Sequence, residues 1–264
     1  MPVFPLRLAG RHDKSIRLTM SEPKQTKSHP FPATRWTLVE AVQGGEPAAA
    51  ENALGELCEC YWYPIYAFLR RDGLSRHDAE DLTQAFFQRL IAEDSLRDAR
   101  KENGRLRSWL LGVLKRLISD HVRHGTALKR GGSKTHISFD EMKAEERYAS
   151  EPTDCADPER LYFRAWAREL LATVQQSLRL AAEAGGSAVH FDLLLPFLTL
   201  DQEPPSHREL ANQIGSSEAA TRILIHRLRV KYRSLLLEEV TRTVLAPEDV
   251  PEEMAWLRSV LSAP

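Results

Sequence analysis

The fold is decided most clearly by the stretch SHRELANQIGSSEAATRILIHRLRVKYR, Ser206–Arg233. Its pattern predicts two helices joined by a tight turn. Ala211 is the small residue needed where such helices cross, and Gly215 supplies the left-handed conformation of the turn. Apolar contacts between the helices are assigned to Leu210, Ile214, Leu224 and Leu228. We therefore predict a helix-turn-helix; a helical hairpin with a basic surface is the alternative that the pattern leaves open.

The second helix of this motif carries the candidate DNA contacts. Residues early in such a helix reach base edges, and flanking Arg and Lys side chains reach phosphates. The candidates are Ser217, Glu218, Arg222, His226, Arg227 and Arg229.

An acidic amphipathic helix is predicted upstream from DAEDLTQAFFQRL, Asp78–Leu90. The helix dipole stabilises carboxylates in the first turn, and this effect alone accounts for the acidic residues there. The dipole does not account for Gln84, which lies on the same face of the helix as Asp81. We therefore interpret this face as a protein-binding surface. Ser75 is the predicted N-cap, with Asp78 in the capping-box position. The predicted contact residues are Asp78, Glu80, Asp81 and Gln84.

A basic amphipathic helix follows in RLRSWLLGVLKRLISDHVRH, Arg105–His124. Its apolar stripe faces a core, and its basic side chains form a second candidate DNA surface. Trp109 is either a core residue or an aromatic that stacks on an unpaired base. The candidate DNA-binding residues are Trp109, Lys115, Arg116, Arg123, Lys129 and Arg130.

Charge is distributed unevenly along the chain, although the formal net charge is only −1. Residues 101–131 hold 8 Lys/Arg and 2 acidic residues, and residues 204–233 hold 6 Lys/Arg and 2 acidic residues. Between them, residues 138–160 hold 8 acidic residues and 3 Lys/Arg. Two basic blocks around an acidic spacer predict two nucleic-acid contacts in one chain.

The predicted fold class is all-α, with two helical lobes joined by a flexible linker. Residues 1–30 are predicted to be disordered, 31–124 to form the first lobe, 125–156 the linker, 157–240 the helix-turn-helix lobe and 241–264 a tail with a short amphipathic helix. The pairs Glu238–Glu239 and Glu252–Glu253 are read as solvated.

Other function classes lack their residue patterns. The paired carboxylates have no phosphate loop, nucleophile elbow or third metal ligand beside them, so we predict no enzyme activity, metal or cofactor. The three cysteines, Cys58, Cys60 and Cys155, indicate a reducing compartment, and Cys58-x-Cys60 lacks a second ligand pair for zinc. No apolar run is long enough to span a bilayer, so a cytoplasmic location without membrane contact is predicted.

Taken in order, these motifs resemble the extracytoplasmic-function (ECF) sigma factors of bacterial RNA polymerase, within the sigma-70 family. Asp78–Leu90 resembles region 2.2, Arg105–Gly132 regions 2.3 and 2.4, Asp157–Leu171 the start of region 4, and Ser206–Leu236 region 4.2. Thr221 departs from the family, which usually has an apolar residue there.

The resemblance implies a specificity subunit. Asp78, Glu80, Asp81 and Gln84 would bind the β′ clamp helices of core polymerase, and the region 4 lobe would meet the β flap. The basic helix would bind promoter DNA at the −10 element, and the helix-turn-helix would bind the −35 element. Control by an anti-sigma factor stays open. The alternative is a helix-turn-helix regulator that binds DNA without polymerase, its first lobe serving dimerisation or sensing.

Overall fold

A computed structural model describes residues 4–7, 17–20, 38–39, 41–42, 46–92, 104–123, 141–151, 157–184, 190–198, 203–244 and 246–262. The chain divides into two compact units. The first comprises Met1–Ala167 together with Arg242–Pro264, and the second comprises Arg168–Thr241.

Three helices form the centre of the first unit: α1 (Pro47–Arg71), α2 (Arg76–Ala92) and α3 (Leu106–Arg123). Pro47 starts α1 at a position where the missing N–H costs nothing. Gly73, at φ +99°, permits the turn between α1 and α2. The core of these helices is aromatic, and Trp62 stacks on Tyr66 with ring centres 5.2 Å apart. Phe86 and Phe87 are both buried.

A further helix, α4 (Glu141–Ala149), packs on α1. Glu145 accepts hydrogen bonds from Arg70 Nε at 3.1 Å and Arg70 Nη2 at 2.7 Å. It also accepts one from the hydroxyl of Tyr66. The Arg147 guanidinium carbon lies 3.6 Å from the ring centre of Tyr63. The sequence predicted a flexible linker here, because the segment lacks an apolar stripe. Polar and cation–π contacts hold the helix instead.

The end of the chain also belongs to the first unit. Helix α5 (Pro158–Ala184) begins there, and α9 (Val250–Ser262) follows a 3₁₀ turn at Pro247–Asp249. Trp256 of α9 packs edge-on against Phe163 of α5, with ring centres 5.6 Å apart. The predicted tail is therefore part of a core.

Two short strands lie near the N-terminus, β1 (Phe4–Arg7) and β2 (Arg17–Met20). They pair antiparallel, with Phe4 opposite Met20 and Leu6 opposite Leu18. The sequence predicted disorder over residues 1–30 and no strand. The backbone pairing corrects that prediction for these two segments, and the remainder of residues 1–30 lies outside the described residues.

The second unit contains the rest of α5, then α6 (Phe191–Leu194) with a 3₁₀ turn at Leu195–Phe197, α7 (His207–Ile214) and α8 (Glu218–Thr241). Its core cluster consists of Leu194, Phe197, Leu210 and Ile225, with Leu193, Ile214 and Leu228 packed against it. Ile225 thus takes the buried position that sequence analysis gave to Leu224, which is only half-buried.

The all-α class predicted from the sequence is confirmed for the described residues from 46 onward. The compact units differ from the predicted lobes in two places. Their boundary falls inside α5, after Ala167, and the residues after Thr241 return to the first unit. The reason is packing, since the start of α5 and α9 bury aromatic side chains against each other.

Candidate partner-binding and nucleic-acid surfaces

The acidic face of α2 is partly exposed and partly buried. Ser75 caps the helix, accepting from the Asp78 backbone N–H at 3.2 Å and donating to its carboxylate at 2.6 Å. Asp78 and Asp81 are exposed and Gln84 is half-buried, and their three-residue spacing places them along one side of the helix. Glu80 differs from the other predicted contacts because it is buried and accepts a hydrogen bond from Arg76 Nε at 2.7 Å.

The basic face of α3 presents three of its predicted contacts to solvent, namely Lys115, Arg116 and Arg123. Trp109 is half-buried. This exposure is compatible with both roles that the sequence left open, a core residue and an aromatic that stacks on an unpaired base. Lys129 and Arg130 lie outside the described residues.

Acidic side chains partly neutralise this basic face. Lys115 donates to Glu159, on the first turn of α5. Asp120 accepts from Arg123 and, at 3.3 Å, from Arg89 of α2. These two arginines hold the pKa of the Asp120 carboxyl below its usual value. Any polyanion that binds α3 must therefore compete with carboxylates of the protein itself.

The predicted helix-turn-helix segment forms α7, a turn and α8. Ser206 and Glu209 form a complete capping box at the start of α7. Gly215 has φ +71° and ψ +38°, and its N–H donates to the Ala211 and Asn212 carbonyls, so the left-handed turn predicted from the sequence is present. Ala211 is buried, as a close helix crossing requires.

The candidate DNA contacts on α8 are all exposed: Ser217, Glu218, Arg222, His226, Arg227 and Arg229. Four of them have partners within the unit, and the Ser217 hydroxyl oxygen accepts from the Ala220 backbone N–H at 3.2 Å. Arg222 lies 3.7 Å from the Glu218 carboxylate, and Arg229 Nε donates to the Phe197 carbonyl at 3.2 Å. Thr221 is fully buried, and among the described residues its hydroxyl has no hydrogen-bond partner.

A buried charge cluster in the first unit was not predicted from the sequence. Glu253 is 0 % exposed and Arg107 is 3 % exposed, and Arg107 Nη2 donates to Glu253 Oε2 at 3.0 Å. Arg105 and Thr243 also donate to Glu253. Burial lowers the pKa of Arg107, and the hydrogen bond from Arg107 to Glu253 opposes that shift. The prediction that Glu253 is solvated is wrong.

Two indoles complete this cluster. The Arg107 guanidinium carbon lies 4.5 Å from the ring centre of Trp166 and 3.8 Å from that of Trp256. No sequence signal identifies the cluster, because its members come from α3, α5 and α9, and a Glu-Glu pair at a helix start is ordinarily a dipole-stabilising pair.

Within the described residues, no group of His, Cys, Asp and Glu side chains is arranged to hold a metal ion. Burial raises the pKa of the Cys58 thiol to about 12, so this side chain is an inert core residue. None of the described helices combines the length and apolar character needed to cross a membrane.

Comparison with known proteins bears on α1, α2 and α3. Residues 58–127 match the family model described as Sigma-70 region 2. The match shows that this segment, and not the whole chain, is similar to Sigma-70 region 2. It covers the second half of α1, all of α2 and all of α3, and thus both the acidic and the basic faces. No curated protein and no solved structure matches the chain.

Proposed function

We propose that the protein is a sigma factor of the ECF type, which binds core RNA polymerase and directs it to specific promoters. The observation that carries this proposal is the sigma-70 region 2 match, which includes an exposed acidic face on α2 and a basic face on α3. Under this proposal, the protein acts in the cytoplasm, where transcription takes place.

The polymerase contact is assigned to α2. Asp78, Asp81 and Gln84 would meet the β′ clamp helices, because exposed carboxylates on one helix face suit a basic partner. Glu80 is reassigned to a supporting role, since its carboxylate is buried against Arg76. The second unit would meet the β flap.

The promoter contacts are assigned to α3 and α8. Lys115, Arg116 and Arg123, with Lys129 and Arg130, would bind the −10 element, and Trp109 would support strand opening from its half-buried position. The six exposed candidates of α8 would lie at or near the −35 element, as the second helix of a helix-turn-helix does in the major groove. Two DNA contacts that are weak separately would give a higher overall affinity on one polymerase-bound chain, because binding at one raises the effective concentration at the other.

The direct test is run-off transcription of fragmented host genomic DNA by purified core polymerase, with and without the protein. Discrete transcripts that require the protein are expected, and their upstream sequences would define both elements. The competing function is a helix-turn-helix regulator that acts without polymerase. Tight binding of the protein alone to a genomic site, with no new transcript, would replace the sigma proposal with that one.

A further inference from the structure

Three large apolar side chains of α8 are exposed to solvent: Ile223 at 53 %, Val230 at 51 % and Leu237 at 51 %. They follow one another at intervals of seven residues, so they lie along one side of the helix. Single exposed apolar residues are common on protein surfaces. Ile223 differs from the other two in its position along the helix and in its neighbours, and both differences indicate a role for it.

Ile223 lies close to the N-terminal end of α8. The helix begins at Glu218, so at 1.5 Å per residue Ile223 is about 8 Å from the first residue. Val230 is about 18 Å and Leu237 about 29 Å from the same residue. The second helix of a helix-turn-helix contacts bases with its N-terminal residues, in a major groove about 12 Å wide. Of the three apolar side chains, only Ile223 is close enough to the helix start to reach base pairs.

The neighbours of Ile223 leave it accessible and place it beside hydrogen-bond donors. Ala219 and Ala220 are the adjacent residues on the preceding turn, and their methyl groups are too small to cover the isoleucine. His226 and Arg227 are exposed on the following turn. The apolar side chain thus lies between two small residues and two residues that can donate hydrogen bonds to DNA.

An apolar side chain in a basic surface suits one chemical feature of the major groove. Among the base edges exposed there, only that of thymine carries a methyl group. Ile223 can cover this methyl group while His226 and Arg227 donate to neighbouring base edges or phosphates. A protein that docked along the line from Ile223 to Leu237 would also cover the Arg227 guanidinium, which is costly unless that charge is paired.

We propose, on the basis of the proposed function, that Ile223 selects a thymine in the −35 element by contacting its 5-methyl group. Burial of one methyl-sized group is equivalent to about fourfold in affinity. The −35 elements upstream of the transcripts that the protein directs should therefore share a T·A pair at one fixed position. Elements without a common T·A pair would overturn the proposal and leave the sigma function intact.

The decisive experiment replaces thymine by deoxyuridine, which lacks only the 5-methyl group, at each thymine of a recovered −35 element in turn. Wild-type holoenzyme should bind one of these fragments about fourfold more weakly than the unmodified promoter. Holoenzyme containing Ile223→Ala should bind both fragments equally, at the weaker level. Val230→Ala is the matched control, because Val230 is similarly exposed but lies further from the helix start, and it should keep the full preference for thymine.

The outcomes of this comparison separate the possible roles of Ile223. Wild-type holoenzyme that distinguishes no thymine from deoxyuridine would overturn the proposal, as would an equal loss of preference in Ile223→Ala and Val230→Ala. If Ile223→Ala weakens binding to core polymerase and keeps the preference for thymine, the side chain contacts protein and the proposal is overturned. If no transcript depends on the protein, the sigma function is removed, and the same substitutions in the genomic site that the protein binds alone decide the methyl contact.

Discussion

The Arg107 guanidinium carbon lies 3.8 Å from the centre of the Trp256 ring, so a cation of α3 rests on an aromatic side chain of the C-terminal helix. Desolvated cation–π contacts contribute up to about 2 kcal/mol. Here the contact accompanies a fully buried carboxylate, Glu253, whose charge is matched by the nearby arginines Arg105 and Arg107.

Replacing Arg107 alone should therefore be more damaging than replacing the pair. Arg107→Met leaves Glu253 buried with Arg105 and Thr243 as its remaining donors, and it should lower the free energy of unfolding by about 3 kcal/mol. The double variant Arg107→Met/Glu253→Met should recover most of that loss. Urea unfolding followed by circular dichroism measures both, and a double variant no more stable than the single one would show that packing, rather than the unpaired charge, sets the cost.

Thr221 offers a stabilising substitution in the second unit. Its hydroxyl is fully buried and has no partner among the described residues, so it bears a desolvation cost. Thr221→Val keeps the shape and should raise the free energy of unfolding by about 1 kcal/mol. Thr241→Val is the control, because that hydroxyl is exposed and donates to the Leu237 carbonyl. Equal effects of both changes on the thermal midpoint would contradict the interpretation.

Docking of α4 should depend on acid pH. The hydrogen bonds from Arg70 hold the pKa of the Glu145 carboxyl below its usual value of 4.5, with Tyr66 adding to the shift. The stabilising contribution is therefore complete above pH 4.5 and is lost as the pH falls through the lowered pKa. Glu145→Gln should cost about 1 kcal/mol at neutral pH and show a weaker loss of stability between pH 5 and pH 3.

The control for that experiment is Glu146→Gln, on the exposed side of α4. Urea titrations at several pH values should give the wild-type pH dependence for this variant. If the two variants behave alike, the acid dependence does not come from the Arg70–Glu145 contact.

Two carboxylates of α2 should have separable roles. Asp81 is exposed, so Asp81→Arg should weaken binding to core polymerase at least tenfold, about 1.4 kcal/mol, and change stability by less than about 0.5 kcal/mol. Glu80→Gln should mainly lower stability, because its carboxylate is buried against Arg76. Fluorescence anisotropy with labelled protein and core enzyme measures the binding, and wild-type affinity of Asp81→Arg would remove α2 from the interface.

On α8, replacing Arg222 should mainly affect DNA binding, whereas replacing Arg229 should mainly affect stability. Arg222→Ala should cost about 1–3 kcal/mol in holoenzyme–promoter binding and relax the preference at one base pair of the −35 element. Arg229→Ala should mainly lower stability, because its Nε donates to the Phe197 carbonyl. Binding to promoter variants at fixed salt distinguishes them, and unchanged promoter choice in Arg222→Ala would exclude a base contact there.

Local features of the fold were predictable because they depend on neighbouring residues. The capping pair at Ser75 and the left-handed turn at Gly215 were predicted from spacing and backbone preference. The candidate surfaces on α2, α3 and α8 were predictable for the same reason, since helical periodicity places exposed charges on common faces.

The sequence by itself determined that the chain is helical and where most helices begin and end. It also determined which helix faces carry charge in the segment that matches Sigma-70 region 2. Only the tertiary structure decided which charges are buried. Glu253 meets Arg107 across a sequence separation of 146 residues, and Glu145 meets Arg70 across 75. Neither pairing has a local signal, because an acidic side chain on a short helix has the same sequence pattern whether it faces water or a distant arginine. The difference arises from packing, which brought α4 onto α1 and returned α9 to the first unit.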